Sequence, residues 1–109
     1  MVSLDTLFDL LSNERRRYAL YYLHEQSGPV SVDELVETVA KWEDNPPMDL
    51  PERYDRIEIS LDHNHLPKTA EVEFVEYEPD EGVVRTEGVP PEVNAIVTLA
   101  RIIERPASD

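Results

Sequence analysis

Apolar side chains fall at helical spacing along most of the chain and near strand spacing in one short stretch. Leu4, Leu7, Phe8 and Leu11 recur at three and four residues, which predicts a first helix with Ser3 as its N-cap. Ser12 or Asn13 caps a second helix over residues 13–25. Its apolar face is Ala19, Leu20 and Leu23 with Tyr22 at one edge, and Gly28 and Pro29 end it. Tyr18, Tyr21 and Tyr22 lie around this helix, so at least one faces solvent or a partner. Val30 sits in a very short extended piece. Ser31 with Glu34 three residues on is a capping box for a third helix, whose inward face is Val32, Leu35, Val36, Val39 and Ala40 and which Trp42 closes as a core plug.

Residues 43–51 carry three prolines and read as a connector. A fourth helix is predicted from Pro51 or Glu52, since proline suits a first turn, with Tyr54, Ile57 and Leu61 in register and a break at Pro67. From Val72 the period changes. Val72, Phe74 and Val75 to Tyr77 read as a strand, Pro79-Asp80-Glu81-Gly82 as a turn, and Val83, Val84 and Arg85 as the returning strand. Pro90 and Pro91 open a last helix carrying Val93, Ile96, Val97, Ala100 and Ile103, widened by Leu99 and Ile102, and Pro106 ends it. Helix, helix, touch of strand, helix, helix, hairpin, helix is a mainly α order with a small β-hairpin wing. It predicts one winged helix-turn-helix domain over residues 1–109, with the third and fourth helices as the helix-turn-helix pair.

Composition narrows the function classes. The 109 residues include no cysteine, which removes disulfides, thiolate chemistry and cysteine-held zinc or iron–sulfur centres. No apolar run approaches the roughly 18 residues of a membrane span, and the N-terminus lacks the basic region of a secretory signal; the expected location is the cytoplasm. Asp plus Glu number 24 against 10 Lys plus Arg, a net charge of −14. That balance repels nucleic acid in dilute buffer. At molar salt the Debye length falls to roughly 3 Å, and an acid excess with only Lys41 and Lys68 as lysines is what a protein of a salt-loving organism would carry.

The segment LFDLLSNERRRYALYYLHE, residues 7–25, with Ser12, Asn13, Arg15, Arg16 and Arg17 at the helix entry, resembles the opening of the ArsR-like winged helix proteins of haloarchaea. Residues 30–43 are similar to their third helix. Residues 61–85, with His63, His65, Leu66, Pro67, Lys68, Tyr77 and Gly82, are similar to their His-x-His-Leu-Pro-Lys segment and wing. The chain departs from that pattern at Thr69, where leucine is usual, and at Val72-Glu73, where Ala-Gly is usual. The resemblance implies the winged helix fold and a transcriptional-regulator-like role.

In such a fold the fourth helix meets base edges and cations hold phosphates. The expected DNA contacts are Arg53, Arg56, Ser60, Asn64 and Lys68, Arg85 on the wing, and Arg16 or Arg17 from the second helix. Over residues 53–68, Arg53, Arg56 and Lys68 are balanced by Asp55, Glu58 and Asp62, and the wing tip is acidic at Glu78, Asp80 and Glu81. A winged helix module that binds protein instead of DNA is therefore the alternative. The arginine triplet has a structural reading as well, pairing with carboxylates of the connector or last helix. His63 and His65, two apart, point in different directions on a helix, and the expected arrangement is one on the surface and one packed beside Leu66, holding no metal. With no nucleophile motif, no phosphate-cradling loop and three glycines in all, neither enzyme activity nor a cofactor is expected. The last helix, residues 90–105, carries more apolar surface than one flank needs. It predicts a homodimer through Val93, Ile96, Val97, Leu99, Ala100 and Ile103 with Leu4 and Leu7.

Overall fold

The computed structural model describes residues 3–26, 28–43, 50–69 and 72–104, with side chains for all of these except 50–54 and 62. Helices α1 (Leu4–Leu11), α2 (Glu14–Glu25), α3 (Val32–Trp42), α4 (Leu50–Ser60) and a short α5 (Leu66–Thr69) precede the hairpin β2 (Val75–Glu78) and β3 (Val83–Thr86). The long α6 (Pro91–Glu104) follows, and the two-residue β1 (Val30–Ser31) lies just before α3. The caps set the early boundaries. Ser3 Oγ accepts from Thr6 N, Asn13 Oδ1 from Arg16 N and Ser31 Oγ from Glu34 N, each at 3.1 Å. Only half of the capping box forms, because the Glu34 carboxylate accepts from the Tyr22 hydroxyl.

Helix α2 is the central element, packed against α1, α3, α6 and β3. Tyr18, Ala19, Leu20, Tyr21 and Leu23 are buried, and Tyr22 is half-buried. Two of the three tyrosines are therefore core residues. Trp42 is half-buried, meeting Tyr18 and Tyr22 edge-on at 6.2 and 6.0 Å between ring centroids. Helix α1 buries Leu7 and Leu10, while Leu4 and Phe8 stay exposed; the inward row is shifted from the one predicted. The sheet is antiparallel with order β1-β3-β2. Val30 pairs with Val84, and Glu78 with Val83 across the turn, where Gly82 takes φ +64°, a conformation that suits glycine.

Two predicted boundaries are corrected. Pro67 does not break the chain's helical course. Between α4 and α5 the backbone widens into a π-helical turn, Leu61–His65, in which the Leu66 N–H donates to the Leu61 carbonyl five residues back. Proline has no N–H, and its ring collides with the carbonyl four residues back in a regular α-helix; the wider turn relieves both conflicts. The strand begins at Val75, later than predicted. Val72 and Phe74 are buried in a turn closed by Val75 N to Val72 O at 3.3 Å. The architecture is mainly α with a hairpin wing, a winged helix-turn-helix.

Candidate functional site

The α3–α4 pair and the hairpin form the face on which a winged helix meets its partner. Ile57 and Leu61, both wholly buried, seat α4 in the core. The opposite side of the segment exposes Asp55, Arg56, Ile59, His63 and Asn64. Arg56 and Asn64, two of the expected DNA contacts, are thus presented outward. Ile59, 58% exposed, stands off the 57/61 row and was not foreseen as a surface residue. Arg53 belongs to α4, but its side chain, like that of Tyr54, lies outside the described residues.

The other expected contacts are engaged elsewhere. Ser60 is half-buried and lines a cleft toward α2 with Asn13, Glu14, Arg15, Glu43 and His65. Lys68 Nζ lies 2.9 Å from Asp9 Oδ2, tying α5 to α1, and this contact holds the Asp9 carboxyl below its usual range. Arg85 Nε and Nη2 both donate to Glu76 Oε2, at 3.0 and 2.8 Å, with Glu87 a further 3.7 Å neighbour. These acids raise its pKa, so it stays protonated, and they offset its charge. Over residues 72–88 six acids, Glu73, Glu76, Glu78, Asp80, Glu81 and Glu87, face this single arginine, so the wing is anionic. The cleft between the start of α3, α4 and the wing turn repeats that character, with Asp33, Glu58 and Glu81 on its walls.

The arginine triplet is structural. Arg16 is buried; its Nε donates to the Leu10 carbonyl at 3.0 Å and its Nη2 to the Asp9 carbonyl at 2.6 Å. It thereby satisfies the open carbonyls at the end of α1 and is withdrawn from any outer surface. Arg15 pairs in two-point fashion with Glu43 at 2.7 and 3.0 Å. Arg17 pairs the same way with Glu104 and donates to the Leu11 carbonyl. The partners are the connector and the last helix, the two sources the structural reading named.

Helix α6 packs chiefly on α2. Val93 and Val97 are buried there, with Ile96 and Ala100 half-buried. Val93 and Val97, like Leu7 of α1, therefore belong to the subunit's own core and are removed from the expected dimer surface. Leu99, Ile102 and Ile103 are 59, 57 and 75% exposed, and Leu4 is 55% exposed. Helix α6 thus turns its larger apolar side chains outward and its smaller ones inward. Arg101 caps the arrangement from the side, 2.9 Å from Glu25 and 5.9 Å from the Trp42 ring centre.

His63 is exposed, and His65 is half-buried beside Leu66. Among the described residues no group of three or more His, Asp or Glu side chains is gathered to hold a metal ion, and no helix is long and apolar enough to cross a membrane. The chain matches no curated protein and no solved structure. One family does match, over residues 8–85. That span runs from the middle of α1 through β3 and leaves α6 outside it. By this match the chain belongs to the family described as Domain of unknown function (DUF7344).

Proposed function

We propose that the protein is a DNA-binding transcriptional regulator that docks α4 in a major groove and catalyses no reaction. The observation that supports this reading is the outward presentation of Arg56 and Asn64 on the α4 segment, whose other side is anchored by Ile57 and Leu61. Arginine and asparagine are the side chains that read guanine and adenine edges. The wing adds no free cation, so docking rests on α4. The net charge of −14 then requires a screened setting, the salt-rich cytoplasm that resemblance to haloarchaeal ArsR-like proteins implies. Fluorescence anisotropy against genomic fragments, run from low to molar salt, tests the reading. Saturable binding that Arg56→Ala weakens is expected; no saturable binding at any salt overturns it.

The functional unit in this reading is a homodimer. The outward row Leu99, Ile102 and Ile103, with Leu4, packs against its own copy about a twofold axis. This arrangement would set two α4 helices on groove turns about 34–36 Å apart.

A second reading draws support from the anionic wing with Arg85 neutralised by Glu76 and from the exposed Ile59 on α4. Here the same face binds a protein partner. Affinity purification from native-salt lysate separates the two: a stoichiometric protein partner without DNA favours the second reading, and promoter DNA without one rejects it.

A further inference from the structure

The π-helical turn Leu61–His65 carries a polar group that the fold leaves unmatched. His65 Nδ1 is shut off from solvent and has no hydrogen-bond partner. The groups facing this imidazole come from every element packed around it. Arg15 and Arg16 approach from α2, and Glu43 from the end of α3. Both Glu43 carboxylate oxygens are already held by Arg15, at 2.7 and 3.0 Å, and the Glu43 side chain is only 3% exposed. Glu14 and Ser60 complete the walls of the adjoining cleft, about 330 Å3 in volume. Behind the ring, Thr69 Oγ1 donates to the His65 carbonyl at 2.6 Å, and Lys68 is fastened to Asp9. The segment is pinned below the turn by these contacts and above it by Ile57 and Leu61. The turn between packs on α2.

We propose that His65 is a proton-operated hinge at the C-terminal end of the recognition helix: the neutral ring seats the π-helical turn against α2, and the protonated ring is expelled from it. A neutral imidazole leaves one nitrogen unmatched at moderate cost. An imidazolium must donate from both nitrogens, and a buried charged donor without an acceptor is far more costly. Arg15 and Arg16 oppose the new charge, and of the carboxylates described in the cleft Glu43 is paired with Arg15 while Glu14 lies on the wall. In this proposal the protonated ring leaves its seat to regain solvent and an acceptor for Nδ1, and the turn moves with it. Burial first, then Arg16 and Arg15, push the His65 pKa below the ordinary histidine range, with Glu43 opposing. The folded form therefore binds this proton less readily than the unfolded chain. The seat is secure above the ordinary histidine range and weakens as pH falls through that range toward the folded value. π-Helical turns are rare and frequently sit at functional sites.

The hinge stands on this geometry alone; its consequence for DNA rests on the reading of α4 as the docking helix. Amide hydrogen exchange, corrected for intrinsic rates, tests the hinge without DNA. From about pH 7.5 to about pH 5.5 protection of residues 61–69 is expected to fall severalfold, while α3 keeps its protection. His65→Leu should make that protection independent of pH, and His63→Asn should leave the response intact. If His65→Leu does not fold, the ring-proton titration of the unmodified protein decides. A midpoint below the ordinary histidine value that tracks the exchange supports the hinge; a midpoint at or above that value, or exchange unchanged across the range, overturns it. Anisotropy over the same pH range is expected to show DNA affinity falling in step. Loosening with no DNA binding at any pH would leave the hinge standing and reject the DNA reading. Loosening with unaltered affinity would reject the coupling between hinge and docking.

Discussion

Arg17 and Glu104, 87 residues apart in sequence, share a two-point pair, Nε to Oε1 at 2.9 Å and Nη2 to Oε2 at 2.7 Å. The Tyr21 hydroxyl donates to the same carboxylate at 2.8 Å, and Arg17 Nη1 donates to the Leu11 carbonyl at 2.7 Å. One guanidinium thereby fastens the end of α1, the start of α2 and the last turn of α6. Arg17 holds the Glu104 carboxyl below the usual carboxylate range. A carboxyl lowered in the folded state contributes its full stability above its unfolded pKa and loses it as pH falls through the folded value. Both side chains are about a quarter exposed, so solvent screening limits the pair. Glu104→Gln should cost about 1 kcal/mol at neutral pH, and the difference from the unmodified protein should vanish in acid. Urea unfolding followed by Trp42 fluorescence measures both, since Arg101 of α6 sits over that ring.

Arg16 and Arg56 should separate stability from binding. Arg16 is buried on the Asp9 and Leu10 carbonyls, so Arg16→Ala deprives the end of α1 of a buried charged donor, with Ser12 still serving the Asp9 carbonyl, and should cost about 2 kcal/mol. Arg56 is exposed. Arg56→Ala should stay within about 0.5 kcal/mol in stability while lowering DNA affinity about tenfold and reducing the slope of log affinity against log salt by about one. A matched loss of stability in both variants would contradict the division of roles.

The sequence made the element order, the caps at Ser3 and Ser31 and the inward row of α3 legible, because each rests on spacing and neighbours within one turn. Helix α2 was less so. Six of its twelve residues are buried, Arg16 among them, and a central helix enclosed on several sides loses the two-faced pattern that periodicity detects. Pro67 reads as a stop, and only the widened turn before it shows why it is not one. The fate of the cations was the least legible. Arg17 with Glu104 and Lys68 with Asp9 are long-range pairs that no local spacing encodes, so the sequence leaves Arg16 and Arg17 open between phosphate ligands and partners of connector or last-helix carboxylates, and Lys68 looks like a free phosphate ligand. Ile59 was hidden for the opposite reason, an apolar residue on a polar face.

The wing offers a charge-release test. Arg85 spends its guanidinium on Glu76, so Arg85→Ala should leave DNA affinity within about twofold. Glu76→Gln removes the negative charge that holds it and lightens an anionic hairpin. It should raise affinity, by roughly threefold to tenfold at moderate salt, with the gain fading toward molar salt as screening takes over. If the face binds a basic protein partner instead, Glu76→Gln should weaken that complex. Anisotropy across the salt series distinguishes the signs.

Helix α6 should divide cleanly between fold and assembly. Val97 is buried against the subunit core, whereas Ile102 and Ile103 are 57 and 75% exposed. Truncating a buried aliphatic side chain removes transfer energy and leaves a cavity, so Val97→Ala should cost about 1–2 kcal/mol whatever the oligomeric state. Exposed apolar side chains contribute little to an isolated subunit, but a twofold interface removes them from water on both sides, at about 25 cal/mol per Å2. Replacing Ile102 and Ile103 together by Asn should therefore leave the folded subunit intact and abolish the dimer. Light scattering at molar salt should report about twice the monomer mass for the unmodified protein and the monomer mass for the double variant. The dimer should also tighten as salt rises, because each copy carries a charge of −14 whose repulsion is then screened. A monomer for the unmodified protein at high micromolar concentration and molar salt would refute the interface, and DNA binding by paired α4 helices with it.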